Sequence, residues 1–225
     1  MLGRDQQKGD TMIEVLLAVT IFSIVAVMGL TIMNQGSAAS QRSLEITLVR
    51  NEMEAQATTL RYMYDAALVE KSATGYDAAS SLDPTTGAGK WQQILDLRKS
   101  SATPFSDMIS GTTCFHPSTG AGGTNAFIVN PRTAELYRQD THVANWAPAD
   151  VFSRVRFDPP TPSDPHPATI SSVQGIWIEA VEGVAAPVGG QQVPGYTDFH
   201  IRACWATVGQ SLPATLGTIV RLYEP

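Results

Sequence analysis

The hydrophobic pattern of this chain is strongest at its beginning. A polar segment, residues 1–9, contains Arg4 and Lys8 and is followed by a stretch without charged residues at 15–33. A helix over that stretch is about 28 Å long, close to the hydrocarbon thickness of a bilayer. It is longer than the apolar region of a secretory signal, and no small-residue cleavage site follows it. The pattern predicts one membrane-spanning helix within residues 10–35, with the basic residues on the cytoplasmic side.

A second helical pattern follows in residues 36–75. Apolar residues recur there at steps of three and four, which places them on one face of a helix. They are Ile46, Val49, Met53, Ala57, Leu60, Tyr64 and Ala67. The charged residues Arg42, Glu45, Glu52 and Arg61 fall mostly elsewhere on the helical wheel. We therefore expect an amphipathic helix that packs on a globular head, with Gly29 and Gly36 as the weak points where the long helix can bend.

Residues 76–225 are expected to form the head. Alternating apolar residues predict a hairpin of residues 126–130 and 134–138, and further strands at 151–157, 173–181, 198–206 and 218–223. In 198–206 the alternation predicts one core face and one outer face, the latter with His200, Arg202 and Cys204. A short helix is expected at 91–99, and loops rich in turn-forming residues at 80–90, 158–167 and 184–195. The fold class is therefore α+β: a long N-terminal helix, with a transmembrane half and an amphipathic half, packed on a mainly antiparallel β-sheet head.

The charge and apolar content of the chain indicate which kinds of partner it can bind. Fifteen basic residues stand against 21 acidic ones, for a net charge of −6. That balance argues against a broad electrostatic surface for nucleic acid. Charged residues make up only 16% of the chain and apolar residues 43%, which indicates that part of the surface does not face bulk water.

Few residues offer catalytic or metal-binding chemistry. The four histidines, at 116, 142, 166 and 200, lack metal-site spacing, and the glycines of 120–124 lack the strand and helix of a phosphate-binding loop. We predict no metal, no cofactor and no enzymatic activity. Cys114 and Cys204 are expected beyond the membrane, where a disulfide is permitted, and we predict that they are joined; the alternative is two buried free thiols.

The start of the apolar stretch carries a specific motif. Glu14 is the carboxylate at its edge, and the run Lys8-Gly9-Asp10-Thr11-Met12-Ile13-Glu14 precedes Val15, Leu16 and Leu17. This pattern resembles the processing signature of type IV pilins and type II secretion pseudopilins. The resemblance implies that a prepilin peptidase cuts after Gly9 and that the mature chain begins at Asp10, often N-methylated. Most members have Phe or Met where this chain has Asp10.

The same resemblance implies a structural role. The chain is expected to be a pilin, major or minor, of a type IV pilus-like filament, with Glu14 facing the amino terminus of a neighbouring subunit. Its filament core would contain Val15, Leu16, Leu17, Ile21, Phe22, Ile24 and Val25. The implied partners are other pilin subunits, the prepilin peptidase and an assembly platform in the membrane. The precursor is expected in the inner membrane with its head outside, and the assembled subunit in an extracellular filament.

Two alternatives remain open at this point. One is a minor pseudopilin of type II secretion, which has the same processing signature. The other is a single-pass, membrane-anchored extracellular binding protein that does not polymerise.

Overall fold

The computed structural model describes residues 10–74, 83–111, 113–114, 125–138, 146–147, 149–157, 170–183 and 195–224. The chain divides into two compact units, Met1–Leu44 and Glu45–Pro225. The predicted leader 1–9, the loop 158–167 and the loop 184–195 apart from Gly195 lie outside the described residues.

The longest element is helix α1, Asp10–Thr74. It is followed by α2, Gly87–Leu95, and by a 3₁₀ turn, Phe105–Met108. Helix α1 runs unbroken through Gly29 and Gly36, and a Cβ added at either glycine would meet no atom within 4 Å. The role of these glycines as weak points stays a prediction.

Ten strands form three sheets in the described part of the head. The largest sheet is antiparallel, in the order β10-β9-β8-β3-β4; the second has the order β5-β7-β6, and the third pairs β1 with β2. The strands are β1 Ile109–Ser110, β2 Thr113–Cys114, β3 Phe127–Val129, β4 Leu136–Arg138, β5 Trp146–Ala147, β6 Arg154–Phe157, β7 Ile170–Gln174, β8 Ile176–Gly183, β9 Tyr196–Trp205 and β10 Ala214–Tyr223. All pairs are antiparallel except β5 with β7. The α+β class, a long N-terminal helix with a mainly antiparallel head, is confirmed.

Within the second unit, α1 buries one face in the core of the head. Val49, Met53, Ala57 and Leu60 belong to one apolar cluster with residues of the large sheet such as Phe199. The predicted stripe departs from the structure at Tyr64, which is only half-buried, while Met63 beside it is buried. A tyrosine hydroxyl needs a polar partner, and that of Tyr64 donates to the carbonyl oxygen of Tyr223 at 2.7 Å.

Helix α2 begins earlier than the sequence pattern predicts. Residues 91–99 were the expected helix and 80–90 the expected loop, yet the helix starts at Gly87. The hydroxyl of Thr86 accepts a hydrogen bond from the amide of Gly89 at 3.1 Å, which is an N-cap. The glycines after this cap are therefore helical despite their low helix propensity.

The expected strand 173–181 is two strands. Gly175 separates β7 from β8 with φ +61, and these strands belong to different sheets. A Cβ at Gly175 would lie 2.2 Å from the carbonyl oxygen of Cys204. Because only glycine fits this conformation and this close approach, the strand breaks here.

The hairpin of β3 and β4 is confirmed, but the prediction for β9 is wrong on one face. Phe199, Ile201, Ala203 and Trp205 lie in the core as predicted. Arg202 and Cys204, predicted on an outer face, are also buried. The segment that leads into β2 covers this face of the sheet. Lys99 at its start forms a β-bridge with Val181 of β8, and Cys114 in β2 is disulfide-bonded to Cys204 of β9.

Candidate functional site

The first candidate site is the apolar part of α1. From Met12 to Met33 every large apolar side chain is exposed, with exposed fractions from 53% to 77%. The predicted filament-core residues Val15, Leu16, Leu17, Ile21, Phe22, Ile24 and Val25 are all in this set. A surface of this kind is unfavourable in water, because each apolar square ångström left exposed costs about 25 cal/mol.

The few polar side chains in this segment satisfy their own hydrogen bonds. The hydroxyls of Thr20, Ser23 and Thr31 donate to carbonyl oxygens three or four residues earlier, at 2.7–2.8 Å. These donors are therefore satisfied within the helix and need no water. By length and composition, the helix can cross a membrane.

Glu14 lies at the start of this apolar surface. Its side chain is exposed, and no described cation forms an ion pair with it. Asp10 begins α1, while the predicted cleavage residue Gly9 lies outside the described residues. The carboxylate of Glu14 is thus the single acidic charge among residues 12–33.

Two polar residues that sequence analysis missed lie on the buried face of α1. The carboxylate of Glu45 accepts hydrogen bonds from Trp205 Nε1 at 3.1 Å and Thr207 Oγ1 at 2.7 Å. The side-chain oxygen of Gln56 accepts from the amide of Val129 at 2.9 Å. Both residues precede or follow a stripe residue by three or four positions, so the helical wheel contained the signal. They bind this part of α1 to two strands of the large sheet.

A second missed group lies under the chain that precedes β1. Glu179 is fully buried on β8, where its carboxylate pairs with Lys99 and lies 3.6 Å from the guanidinium of Arg202. It also accepts hydrogen bonds from Thr103, from the amide at 3.1 Å and from the hydroxyl at 2.6 Å. Cys114 and Cys204 form a disulfide in the same region. These contacts hold residues 99–111 and 113–114 against β8 and β9.

His200 lies beside this charged group. Burial lowers its pKa below the usual 6.5, and the positive charge of Arg202 adds to that effect. Asp198, Glu179 and Lys99 act on it more weakly, the two carboxylates raising the pKa and the lysine lowering it. His116, His142 and His166, the other histidines of the chain, lie outside the described residues.

Two open clefts are lined by described residues of the head. One, of about 540 Å³, lies between α1, α2 and the β3–β4 turn and is lined by Tyr62, Lys90 and Arg132 among others. The other, of about 400 Å³, lies between α1 and β10. Across the part of the chain that the structure describes, no group of three histidine, cysteine or acidic side chains is placed to hold a metal ion.

Comparison with protein families finds a match at the start of the chain, in the apolar segment. Residues 4–30 match the model of the prokaryotic N-terminal methylation motif. The chain carries the prepilin signature. Prepilins and pseudopilins share this signature, and the matched range contains Gly9 and Glu14. No curated protein and no solved structure matches the chain, so the signature is the similarity on which the functional argument rests.

Proposed function

We propose that this chain is a structural subunit, a major or minor pilin, of a type IV pilus-like extracellular filament. The observation that carries the proposal is the prepilin signature at residues 4–30, together with the apolar helical surface from Met12 to Met33, whose large side chains are all exposed. The prepilin peptidase cuts after Gly9, and the mature chain begins at Asp10. The protein has a structural role and no catalytic one.

The apolar surface provides the energy of assembly. In lipid, two such helices gain no hydrophobic free energy by association, because lipid tails are as apolar as the side chains. In a filament surrounded by water, the same surfaces are buried against each other at about 25 cal/mol for each square ångström. Residues such as Leu17, Ile21 and Phe22 therefore form the filament core.

Glu14 gives this assembly its register. Its carboxylate pairs with the positive amino terminus of a neighbouring subunit in a low-dielectric bundle. Breaking a buried ion pair by removing one partner is unfavourable by about 3–5 kcal/mol, whereas the intact pair contributes little net stability. The pair therefore acts mainly against misaligned subunits.

The partners and the location follow from this role. The precursor lies in the inner membrane with its head outside, where prepilin peptidase processes it. An assembly platform in that membrane then transfers it into a filament with other pilin subunits.

Three variants test the proposal. Gly9→Val places a β-branched residue at the cleavage site, so intact-mass analysis should find the precursor still carrying residues 1–9. Glu14→Ala should be cleaved and remain in the membrane, yet be depleted at least about a hundredfold from sheared filaments. Asp10→Phe combined with Glu14→Ala should lose more than Glu14→Ala alone, because the carboxylate of Asp10 can substitute in part.

The two alternatives give different results in the same experiment. A membrane-anchored binding protein loses a charge from the edge of its span in Glu14→Ala, which eases insertion and changes no filament. A minor pseudopilin of type II secretion is cleaved in the same way but is absent from sheared surface filaments. If the double variant enters filaments at the same level as the wild-type chain, the charge-pairing mechanism is contradicted.

A further inference from the structure

The large sheet ends at a long strand with an open side. Strand β10 pairs along its whole length with β9, from Ala214 with Trp205 to Tyr223 with Tyr196. It is the edge strand of the five-stranded sheet. Its second side is therefore where an additional strand would pair.

The hydrogen bonds at the two ends of β10 show which backbone groups face this open side. Thr215 pairs with Cys204, whose amide donates away from β10 to the carbonyl oxygen of Gly175 at 2.8 Å. At the other end the carbonyl of Tyr223 accepts from Tyr64 on α1. Backbone groups in an antiparallel ladder alternate between the two sides. Thr215, Gly217, Ile219 and Arg221 therefore direct their N–H and C=O groups away from β9.

These four residues form an edge without protection. Native edge strands are usually shielded by charged side chains, proline or a bulge. Strand β10 contains no proline, and its pairing with β9 has no bulge. Its single charge, Arg221, is drawn onto the face of the sheet by two hydrogen bonds of 2.7 Å to Asp198. The guanidinium also lies 3.9 Å from the ring centre of Tyr196.

No described group binds this edge between Thr215 and Arg221. The backbone of these four residues has no hydrogen-bond partner in the described part of the chain. All four residues are exposed, and Ile219 is 58% exposed. An extended backbone is the ligand that satisfies such an alternating row of donors and acceptors.

A groove beside the edge has room for the side chains of such a strand. It holds about 400 Å³ and is bordered by Met53 and Leu216, with Arg50 and Glu54 on the side of α1. Alternate side chains of a strand added to β10 would point into this groove, because side chains alternate between the faces of a sheet. Its apolar border favours residues such as valine. The charges of Arg50 and Glu54 are opposite, and Glu54 also pairs with Arg61 at 3.1 Å, so the groove does not call for a charged segment.

The direction of β10 distinguishes a second copy from a different protein. The groove places Arg50 near Leu216, whereas Tyr64 contacts Tyr223, so this part of α1 and β10 run in the same direction. Two copies paired antiparallel through β10 would have these helical segments in opposite directions. Subunits of one helical filament all point the same way, an argument that rests on the proposed function.

We propose that β10 binds an extended, uncharged segment of a second, non-identical protein by β-strand addition. The added strand pairs with Thr215, Gly217, Ile219 and Arg221 and places alternate apolar side chains between β10 and α1. This gives the head a docking site that is separate from the apolar N-terminal segment.

A peptide of alternating threonine and valine, as long as β10, is the probe. Amide hydrogen exchange is followed in the full chain in detergent. Bound peptide should slow exchange about tenfold or more at the four outward amides and leave the even-numbered amides of β10 unchanged. A peptide with N-methyl groups on the edge that faces β10 should not protect them, while methylation of its other edge should have no effect.

Two variants make the test specific. Ile219→Lys adds a charge to the exposed edge and should weaken peptide binding about tenfold or more, whereas the matched control Ile219→Val should bind as wild type does.

Absence of protection at saturating peptide, or equal protection by both methylated peptides, overturns the proposal. Protection of the same amides without peptide that rises with protein concentration means that a second copy occupies the edge, and it overturns the assignment to a different protein. Entry of Glu14→Ala into filaments is measured in a separate experiment. The proposed function can therefore be contradicted while the peptide still binds to β10.

Discussion

The two parts of α1 have the same backbone and opposite surroundings. From Met12 to Met33 the helix is apolar all round and buries none of its large side chains. From Glu45 onward only one face is apolar, and that face lies in a core built by the same chain. A helix that is apolar on every side needs lipid or other subunits, whereas an amphipathic one can be satisfied by its own domain. The comparison shows that one continuous helix can have two parts that are stabilised in different ways.

The strongest test of this separation is removal of the disulfide. Cys114 and Cys204 are 90 residues apart, and the chain-entropy model gives a closed loop of that length about 4–5 kcal/mol of stability. The double change to serine should lower the free energy of unfolding of the head by about that amount. Denaturant titration in detergent, followed by tryptophan fluorescence, measures it, because all four tryptophans lie beyond residue 90.

The matched control is the wild-type chain under reducing conditions, which should behave like the double variant. Membrane insertion of residues 10–35 should be unchanged in both. An unaltered unfolding midpoint would show that the disulfide does not stabilise the head, and a variant that fails to insert would show that the two parts are not separate.

A leucine from each part of α1 gives the next largest difference. Leu60 is fully buried and Leu17 is 59% exposed. Leu60→Ala should reduce the stability of the head by about 2–5 kcal/mol through lost burial and the cavity left behind. Leu17→Ala should change it by less than about 0.5 kcal/mol. The same fluorescence titration compares the two, and equal losses would mean that the apolar segment contributes to the fold of the head.

Two carboxylates sharpen the comparison further. Glu45→Ala leaves the indole of Trp205 and the hydroxyl of Thr207 without their acceptor, which should destabilise the head by about 1–3 kcal/mol. Glu45→Gln keeps an acceptor oxygen and should lose less. Glu14→Ala should leave the unfolding curve of the head unchanged and affect filaments alone. A fall in head stability for Glu14→Ala would contradict this division of roles.

The sequence predicts these two parts well because the spacing of apolar residues shows which face of an element is buried. The steps between Val49, Met53, Ala57 and Leu60 follow the helix repeat, and all four residues are buried. The alternation in β9 likewise predicts the core side of that strand. Both patterns describe how one element meets its nearest layer.

What the sequence does not predict depends on a third layer or on a single backbone conformation. Arg202 looks like an outward residue of β9 until the segment that holds Lys99 and Cys114 is placed over it. Gly175 looks like an interior strand residue, yet the close approach of the Cys204 carbonyl makes it the point where one strand becomes two. The buried carboxylate of Glu179 follows from the same covering segment, because its partners Lys99 and Thr103 lie there.

The smallest expected effect is a pH dependence of the head through His200. Its pKa is lowered in the folded state, mainly by burial and then by Arg202. Below its usual pKa of 6.5 the unfolded chain therefore binds a proton more readily than the folded one. The stability that this residue allows is complete above that pH and is lost as the pH falls from 6.5 toward the lower pKa of the folded state. His200→Gln should flatten the difference in unfolding free energy between neutral and mildly acidic pH. The wild-type curve minus the variant curve isolates this group, since the other three histidines and all carboxylates are common to both chains. A difference that falls as the pH rises through 6.5 would show that His200 is held in its charged form, opposite to the effect of burial.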